Sequence, residues 1–187
     1  MVDEAYSDFA EVNDFVSLAS IDPALEHGIV VNSLSKNFGM SGFRIGYSIS
    51  SRNFASSIIK INQHLVTCAP TILQSYIANN FDTFLECTLP QIKNLTEKRK
   101  QIQGYMNDLG ISFLSGNATF YFMVSIGSYE GSASEFCENA LTKHNIALVP
   151  GTAYGPNLDR YVRLGIGSEP VERIQQALFV LKGLTDG

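Results

Sequence analysis

The segment from residue 33 to residue 46 concentrates side chains that could carry out chemistry. Lys36 directly follows an apolar run that has the composition of a buried strand. Lysine is seldom buried without a partner, and a desolvated lysine is a nucleophilic amine that forms Schiff bases with carbonyl compounds. Arg44 adds a fixed positive charge suited to a phosphate group, and the hydroxyls of Ser33 and Ser35 flank the lysine. Together these groups suit a phosphorylated aldehyde.

The same segment resembles the lysine signature of the class I and II aminotransferases, which are fold-type I enzymes dependent on pyridoxal 5'-phosphate. The resemblance implies that Lys36 is the catalytic lysine that binds this cofactor, and that Ser33, Ser35 and Arg44 also bind it. The alternative is a surface loop with an ordinary lysine and arginine, but three chemical groups would then have to match the glycine spacing by chance. The matching residues are Ser33-Leu34-Ser35-Lys36, Gly39 and Gly42-Phe43-Arg44-Ile45-Gly46.

The beginning of the sequence, Asp3-Glu4-Ala5-Tyr6, resembles a D-E-x-Y element that ends a central parallel strand in the same family. The resemblance implies that Asp3 bonds the pyridine nitrogen of the cofactor and that Tyr6 bonds its phenolic oxygen. Residues 3 and 6 would face opposite sides of a continuous strand, so both can reach one ring only if the chain turns out of the strand directly after Asp3. A solvated carboxylate is the alternative for Asp3 alone, and its combination with Lys36 and Arg44 favours the cofactor role.

The segment Tyr161-Val162-Arg163-Leu164-Gly165 resembles a late strand of the family whose arginine binds the α-carboxylate of the substrate. Arginine suits that role because its planar fork donates two parallel hydrogen bonds. Arg163 shares one strand face with Tyr161 and Gly165, whereas Arg160 follows Asp159 in a turn and is expected to be exposed. The alternative for Arg163 is an edge-strand arginine paired with a surface carboxylate.

Apolar periodicity and Gly/Pro signals predict the elements that position these residues. The fold class implied is α/β: the C-terminal part of a fold-type I pyridoxal-phosphate-dependent transferase. Residues 1–88 are expected to be the C-terminal part of the cofactor-binding large domain, with part of a mostly parallel sheet, and residues 89–187 a small α+β domain. The predicted strands cover 29–33, 43–49, 111–114, 119–126, 146–149 and 161–166. The predicted helices are a short one within a loop at 6–25, two between 51 and 84 divided at Pro70, one at 86–109 with Pro90 near its start, and two at 134–144 and 171–184.

The composition limits the classes of partner. The 187 residues are 45% hydrophobic and 17% charged. The net charge is -5 and the 13 basic residues do not cluster in one patch, so nucleic acid is not an expected partner. Three widely spaced cysteines indicate reduced thiols of a cytoplasmic protein. We expect no metal site, because the three histidines have no ligand-like context, and neither a signal peptide nor a membrane span, because no apolar run is long enough.

The resemblance covers essentially the whole chain but only the second half of the family's enzymes. Their phosphate-cupping loop, the aromatic residue that stacks on the cofactor and an asparagine near its phenolic oxygen are absent. We therefore expect the chain alone to bind the cofactor weakly or not at all and to be inactive, unless the missing N-terminal half of the same enzyme completes it as a partner. The unpaired sheet edges are expected to favour association. The implied substrates are an amino acid and a 2-oxo acid, and the implied assembly is a homodimer.

Two other functions remain open at this point. A decarboxylase or a carbon-sulfur lyase of the same fold would use the same cofactor residues, because only the orientation of the substrate selects the bond that breaks. An aminotransferase-like effector domain of a transcription regulator is the non-enzymatic alternative. Formation of a keto acid together with a paired acceptor distinguishes the aminotransferase from the decarboxylase and the lyase, and the upstream gene sequence tests the regulator alternative.

Overall fold

A computed structural model describes residues 1–10 and 14–186 of the chain. The chain divides into two compact units, Met1–Lys93 and Asn94–Gly187. The boundary lies inside a helix, close to the division at residue 88 that the sequence predicts. Within the described ranges no helix is both long and apolar enough to cross a bilayer.

The first unit is built on a three-stranded sheet of order β1-β2-β3. β1 pairs in parallel with β2, and β3 pairs with β2 in antiparallel fashion. The central strand is apolar and β-branched, with Val30 and Asn32 buried on one face. The strands are β1 (Val2–Asp3), β2 (Ile29–Ser33) and β3 (Gly46–Ser50), and the helices are α1 (Leu18–Ile21), α2 (Leu34–Asn37), α3 (Arg52–Leu65), α4 (Thr71–Asn79) and α5 (Phe81–Asp108), the last of which continues into the second unit.

β2 has the predicted bounds, but the prediction that β3 covers residues 43–49 is wrong at its start. Ser41–Phe43 form a 3-10 turn, and Arg44 then adopts a left-handed conformation with φ of 55°. The strand begins only at Gly46, where a Cβ atom would lie 2.6 Å from the carbonyl oxygen of Asn32. Glycine at this position therefore lets β3 approach β2.

The helices of the first unit also show one difference from the prediction. Pro70 separates α3 from α4 as expected, and the short helix expected within 6–25 is α1, although residues 11–13 lie outside the described ranges. The prediction that the long helix begins at residue 86 near Pro90 is wrong, because α5 begins at Phe81 and contains Pro90 in its interior. Phe81 and Phe84 pack on Phe38, with ring centroids 5.2 and 6.4 Å away, so tertiary contact stabilises the turns before the proline.

The second unit contains an antiparallel sheet of order β4-β6-β5 with helices packed on one face. Residues of β4 and β6 alternate between buried and half-buried, so one face forms the core and the other is partly open. α6 begins with a complete capping box between Ser132 and Glu135. The remaining elements are β4 (Tyr121–Ser125), α6 (Ala133–His144), β5 (Val149–Pro150), β6 (Tyr161–Gly165) and α7 (Val171–Thr185).

Three predicted strands of this unit are shorter than expected. Residues 111–114 form only a single bridge, from Phe113 to Val124, and the strand predicted over 119–126 narrows to β4. The strand predicted over 146–149 is the two-residue β5, which ends at Pro150 because proline has no N–H group to continue the ladder. The core behind the sheet is continuous all the same, and its fully buried members include Ile102, Met106, Phe122, Ile126, Phe136, Ile166 and Leu178.

Arg99 of α5 is buried in this unit without a carboxylate partner among the described residues. Its guanidinium donates hydrogen bonds to the carbonyl oxygens of Tyr121, at 2.7 Å, and Gly116, at 2.9 Å. It also lies 3.9 Å from the centroid of the Phe122 ring. Burial lowers the pKa of the Arg99 guanidinium from its usual value. Arg99 thereby ties the loop before β4 to α5.

Replacing Arg99 with methionine is expected to lower the free energy of unfolding by about 2–4 kcal/mol, because two charge-assisted hydrogen bonds to backbone carbonyl groups are lost. Chemical denaturation of the two proteins measures the difference. Arg173→Met is the control, since its ion pair with Glu169 is exposed and is worth less than about 1 kcal/mol. A loss below about 1 kcal/mol for Arg99→Met would contradict the assignment.

Candidate active site

The sheet of the first unit places the predicted cofactor residues along one edge. β1 and β2 are parallel, so Asp3 at the end of β1 and Ser33 at the end of β2 lie at the same edge. β3 runs the other way and begins there, with Gly46 opposite Ser33. Ligands of open α/β sheets bind at the carboxyl ends of the parallel strands. The topology of this unit therefore gathers Asp3, Lys36 and Arg44 at the edge where a ligand is expected.

Lys36 lies in α2, a single helical turn that begins where β2 ends. The Ser33 hydroxyl accepts a hydrogen bond from the backbone N–H of Ser35 at 3.2 Å and so caps this turn. Leu34 is buried and anchors the turn in the core, whereas Lys36 is half-buried. The Nζ atom of Lys36 lies 5.6 Å from the centroid of the Tyr6 ring. The structure therefore brings together the two predicted site residues that are thirty positions apart in the sequence.

The chain turns out of β1 directly after Asp3, which confirms the turn that the spacing of Asp3 and Tyr6 requires. The backbone N–H of Glu4 still bonds to the carbonyl of Val31 at 2.8 Å, and a 3-10 helix begins at Ser7. Asp3 is exposed, and its Oδ1 accepts the N–H of Ala5 at 3.0 Å. Its carboxylate therefore remains accessible at the sheet edge.

Arg44 supplies an exposed cation on the same edge. Its Nη1 donates to the carbonyl of Ser41 at 2.9 Å and contacts the hydroxyl of Ser35 at 3.5 Å. In the described part of the chain Arg44 forms no ion pair. These bonds hold the guanidinium beside a hydroxyl group, which is an arrangement suited to an anion such as phosphate.

Glu4 has a part in this region that the sequence analysis missed. The side chain is only 6% exposed, and its carboxylate accepts hydrogen bonds from the Ser17 hydroxyl, at 2.9 and 3.1 Å, and from the N–H of Leu18 at 2.9 Å. Glu4 therefore fixes the start of α1 to the end of β1. An acidic residue between the strand-ending Asp3 and Tyr6 was the signal that could have revealed it.

Two buried asparagines on either side of Ser33 were also missed. Asn32 accepts the N–H of Ser33 at 2.7 Å, and Asn37 donates to the Ser7 hydroxyl at 3.3 Å. The Oδ1 atom of Asn37 is buried and has no hydrogen-bond donor among the described residues. Polar residues within an otherwise apolar strand and turn were the signal. Both side chains fix the backbone that carries Lys36.

A recess of about 680 Å³ elsewhere in this unit is not the site assigned here. It opens against β2, β3 and α3, and its lining includes Asn32, Tyr47 and Ile58 but neither Lys36 nor Arg44. Partial burial, followed by the negative charges of Asp8 and Glu4, raises the pKa of the Tyr47 phenol. The groups that could hold a phosphorylated aldehyde thus lie outside this recess.

Arg163 belongs to the second unit, on the central strand β6. It is half-buried on the open face, opposite the side that carries Val162 and Leu164, as the alternation predicts. It is therefore not an edge-strand residue, because β4 and β5 pair on its two sides. In the described ranges its guanidinium has neither a hydrogen-bond acceptor nor an ion-pair partner. This arginine has the capacity to bind an incoming anion.

Arg160 lies in a turn as predicted, but the prediction that it is exposed is wrong. The side chain is half-buried and donates to three carbonyl oxygens, those of Gly127 at 2.8 Å, Tyr129 at 3.0 Å and Gly131 at 2.7 Å. The loop before α6 needs these donors because its carbonyl groups lie outside the regular elements. Arg160 is thus a structural arginine, and Arg163 remains the candidate for substrate.

The donor set of the first unit fits pyridoxal 5'-phosphate. The group needs an amine for its aldehyde, cations and hydroxyls for its phosphate, and a carboxylate for its protonated ring nitrogen. One sheet edge supplies these groups, through Lys36, Arg44 with Ser35, and Asp3.

Among the residues the structure describes, no cluster of three or more histidine, cysteine, aspartate or glutamate side chains could hold a metal ion.

Comparisons with known proteins identify relatives of this chain. Residues 1–178 match the family model described as aminotransferase class I and II. The chain is similar to a putative aminotransferase, YugH, of Bacillus subtilis, with 28% identity over 97% of this chain and 47% of the relative. It is also 28% identical to an aspartate aminotransferase of Thermotoga maritima, over 94% of this chain and 44% of the relative.

A solved aminotransferase structure has a similar fold. The aromatic aminotransferase from Pyrococcus horikoshii superposes with a TM-score of 0.85 at 25% identity, over 98% of this chain and 50% of that one. The chain spans about half the length of the curated relatives it matches. Since the family model covers nearly all of the chain, this protein belongs to the class I and II aminotransferase family.

Proposed function

We propose that this chain provides the lysine-bearing and substrate-binding part of a pyridoxal-phosphate-dependent aminotransferase that transfers an amino group from an amino acid to a 2-oxo acid. The observation that supports it most is the placement of Lys36 Nζ 5.6 Å from the Tyr6 ring, at the sheet edge that also carries Asp3 and Arg44. The protein is proposed to be cytoplasmic and to act as a homodimer, together with a polypeptide equivalent to the first half of its relatives.

Each candidate residue has a separate task in this proposal. Pyridoxal phosphate, when bound, supplies an aldehyde that captures amines and a ring that accepts electrons. Arg44, Ser33 and Ser35 bind its phosphate through charge-assisted hydrogen bonds. Asp3 keeps the proton on the ring nitrogen, where an ion pair at about 4 Å and an effective dielectric of ~20 is worth about 4 kcal/mol before desolvation. Tyr6 would donate a hydrogen bond from its hydroxyl to the phenolic oxygen of the cofactor.

Lys36 and Arg163 act on the substrate. Arg163 binds the α-carboxylate with two parallel hydrogen bonds and so fixes the orientation of the Cα–H bond. The amine of Lys36 would act as the base that moves the Cα proton, a role in which a positioned base contributes about 10²–10⁴-fold to the rate.

The experiment that tests this function measures paired products. The chain is assayed alone and joined to the segment of the Bacillus subtilis relative that precedes the matched region, with pyridoxal phosphate and a panel of amino acids that includes aspartate and aromatic ones. We expect the joined protein to form a 2-oxo acid from the donor and, in equal amount, a new amino acid from the acceptor. Release of carbon dioxide or sulfide without paired amination would instead favour a decarboxylase or lyase, and no turnover with any donor would contradict the proposal.

A further inference from the structure

The surroundings of Arg163 suggest that two tyrosines control its geometry. Arg163 pairs with Met123 of β4 on one side and with Val149 of β5 on the other. Neither neighbour offers a charge or a hydrogen-bond acceptor from its side chain. A long arginine side chain at such a position would sample several rotamers unless other groups restrict it.

Two aromatic rings provide that restriction. The guanidinium carbon of Arg163 lies 5.4 Å from the centroid of the Tyr121 ring and 5.1 Å from that of the Tyr154 ring. Both distances fall within the range of cation–π attraction. Tyr121 begins β4, and Tyr154 ends the 3-10 helix Gly151–Tyr154 that follows β5, so the rings come from elements on the two sides of β6.

Tyr121 is a diagonal neighbour of Arg163 on the open face of the sheet. Gly165 is directly opposite Tyr121 in the β4–β6 register and lies on the same face as Arg163. Diagonal neighbours on one sheet face are close enough for an aromatic ring and a long side chain to meet. The position of Tyr121 in the register therefore accounts for its proximity to Arg163.

Stacking and carboxylate binding use different parts of the guanidinium. An aromatic ring that approaches a guanidinium over its flat face leaves the N–H donors free, because these lie in the plane and point outward along the edges. A guanidinium restricted in this way loses less conformational freedom when it forms two parallel hydrogen bonds to a carboxylate. The absence of an internal acceptor for Arg163 among the described residues leaves this fork available.

We propose that Tyr121 and Tyr154 are positioning residues that hold the Arg163 guanidinium ready for a carboxylate. This inference rests on the carboxylate-binding role proposed for Arg163 above. It assigns no bond to substrate to either tyrosine: the aromatic ring is the part that acts, and the hydroxyl is not required. Replacement by phenylalanine is therefore predicted to be tolerated, and replacement by leucine is not.

The test uses acetate as the carboxylate probe and the full 187-residue chain labelled with ¹⁵N. The Nε–Hε resonance of Arg163, identified by its loss in Arg163→Lys, is followed during titration with acetate and, as a control, with chloride at equal ionic strength. We expect acetate to shift this resonance in the unmodified chain. Tyr154→Leu and Tyr121→Leu should each weaken acetate binding about three- to tenfold, whereas Tyr154→Phe and Tyr121→Phe should remain within about twofold.

The outcomes separate this inference from the function on which it rests. Acetate binding at Arg163 that is unchanged in both leucine variants would overturn the positioning role while leaving the carboxylate role intact. Absence of an acetate-dependent shift at Arg163 in the unmodified chain would overturn the carboxylate role, and with it the positioning role. Unfolding temperatures are measured for all variants, and Tyr154→Leu decides the question if Tyr121→Leu unfolds, because Tyr154 is 49% exposed and packs little against the core.

Discussion

Replacing Lys36 with alanine is expected to abolish an absorption band. This band develops at the short-wavelength end of the visible range when the protein is mixed with pyridoxal phosphate. In the joined protein it should also lower the rate of amino transfer by at least about 10³-fold. Both effects have one cause, because the side chain provides the amine that holds the cofactor and the base that moves the Cα proton. Absorbance spectra and the paired-product assay measure them.

Lys60→Ala is the matched control for this prediction. Lys60 is exposed on α3 and lies outside the set of residues assigned to the cofactor, so its replacement should leave absorption and rate unchanged. Retention of the absorption in Lys36→Ala, or its loss in Lys60→Ala, would show that another lysine holds the cofactor.

In the joined protein, replacing Arg163 with leucine is expected to lower kcat/KM for the amino acid substrate by about 10²–10³-fold. The reason is the loss of two charge-assisted hydrogen bonds to the α-carboxylate. The free energy of unfolding should change by less than about 1 kcal/mol, since no group in the described ranges depends on Arg163 as a hydrogen-bond donor. The affinity for pyridoxal phosphate should not change either. Steady-state kinetics, denaturation and a cofactor titration measure the three quantities.

Arg160 offers a matched comparison three residues away on the same chain segment. Arg160→Leu removes the donor from three loop carbonyl groups and should lower the free energy of unfolding by about 1–3 kcal/mol. Acetate should still shift the Arg163 resonance in this variant. The reverse pattern, in which Arg163→Leu unfolds the protein and Arg160→Leu abolishes carboxylate binding, would exchange the two assignments.

Much of the site could be predicted from the sequence because its chemistry is local. Ser33, Ser35, Lys36 and Arg44 fall within one short segment, and the apolar strand before them indicates where a sheet edge must lie. The turn after Asp3 could be predicted as well, because positions 3 and 6 face opposite sides of a strand. Their side chains can reach one cofactor ring only if the chain turns between them. The family assignment rests on the same residues, and the comparison over residues 1–178 confirms it.

The features that sequence analysis missed depend on contacts between distant residues. The extension of α5 back to Phe81 depends on the Phe38 ring, and no local pattern near Pro90 indicates that contact. Arg160 looks like a surface arginine until the loop carbonyls of residues 127–131 are placed around it. The burial of Glu4 likewise requires Ser17, which follows thirteen residues later. Tertiary packing, rather than local propensity, decides each of these cases.

The central claim is that Lys36 is the lysine that holds the cofactor, and the most direct test is to map the modified lysine. The protein is mixed with pyridoxal phosphate, reduced with borohydride and digested, and the modified peptide is identified by mass spectrometry, with and without competing inorganic phosphate. We predict that the label lies on Lys36 and that phosphate suppresses it, because Arg44 and Ser35 bind the phosphate group. A label on Lys60 or another lysine, or labelling of Lys36 that phosphate does not suppress, would contradict this account.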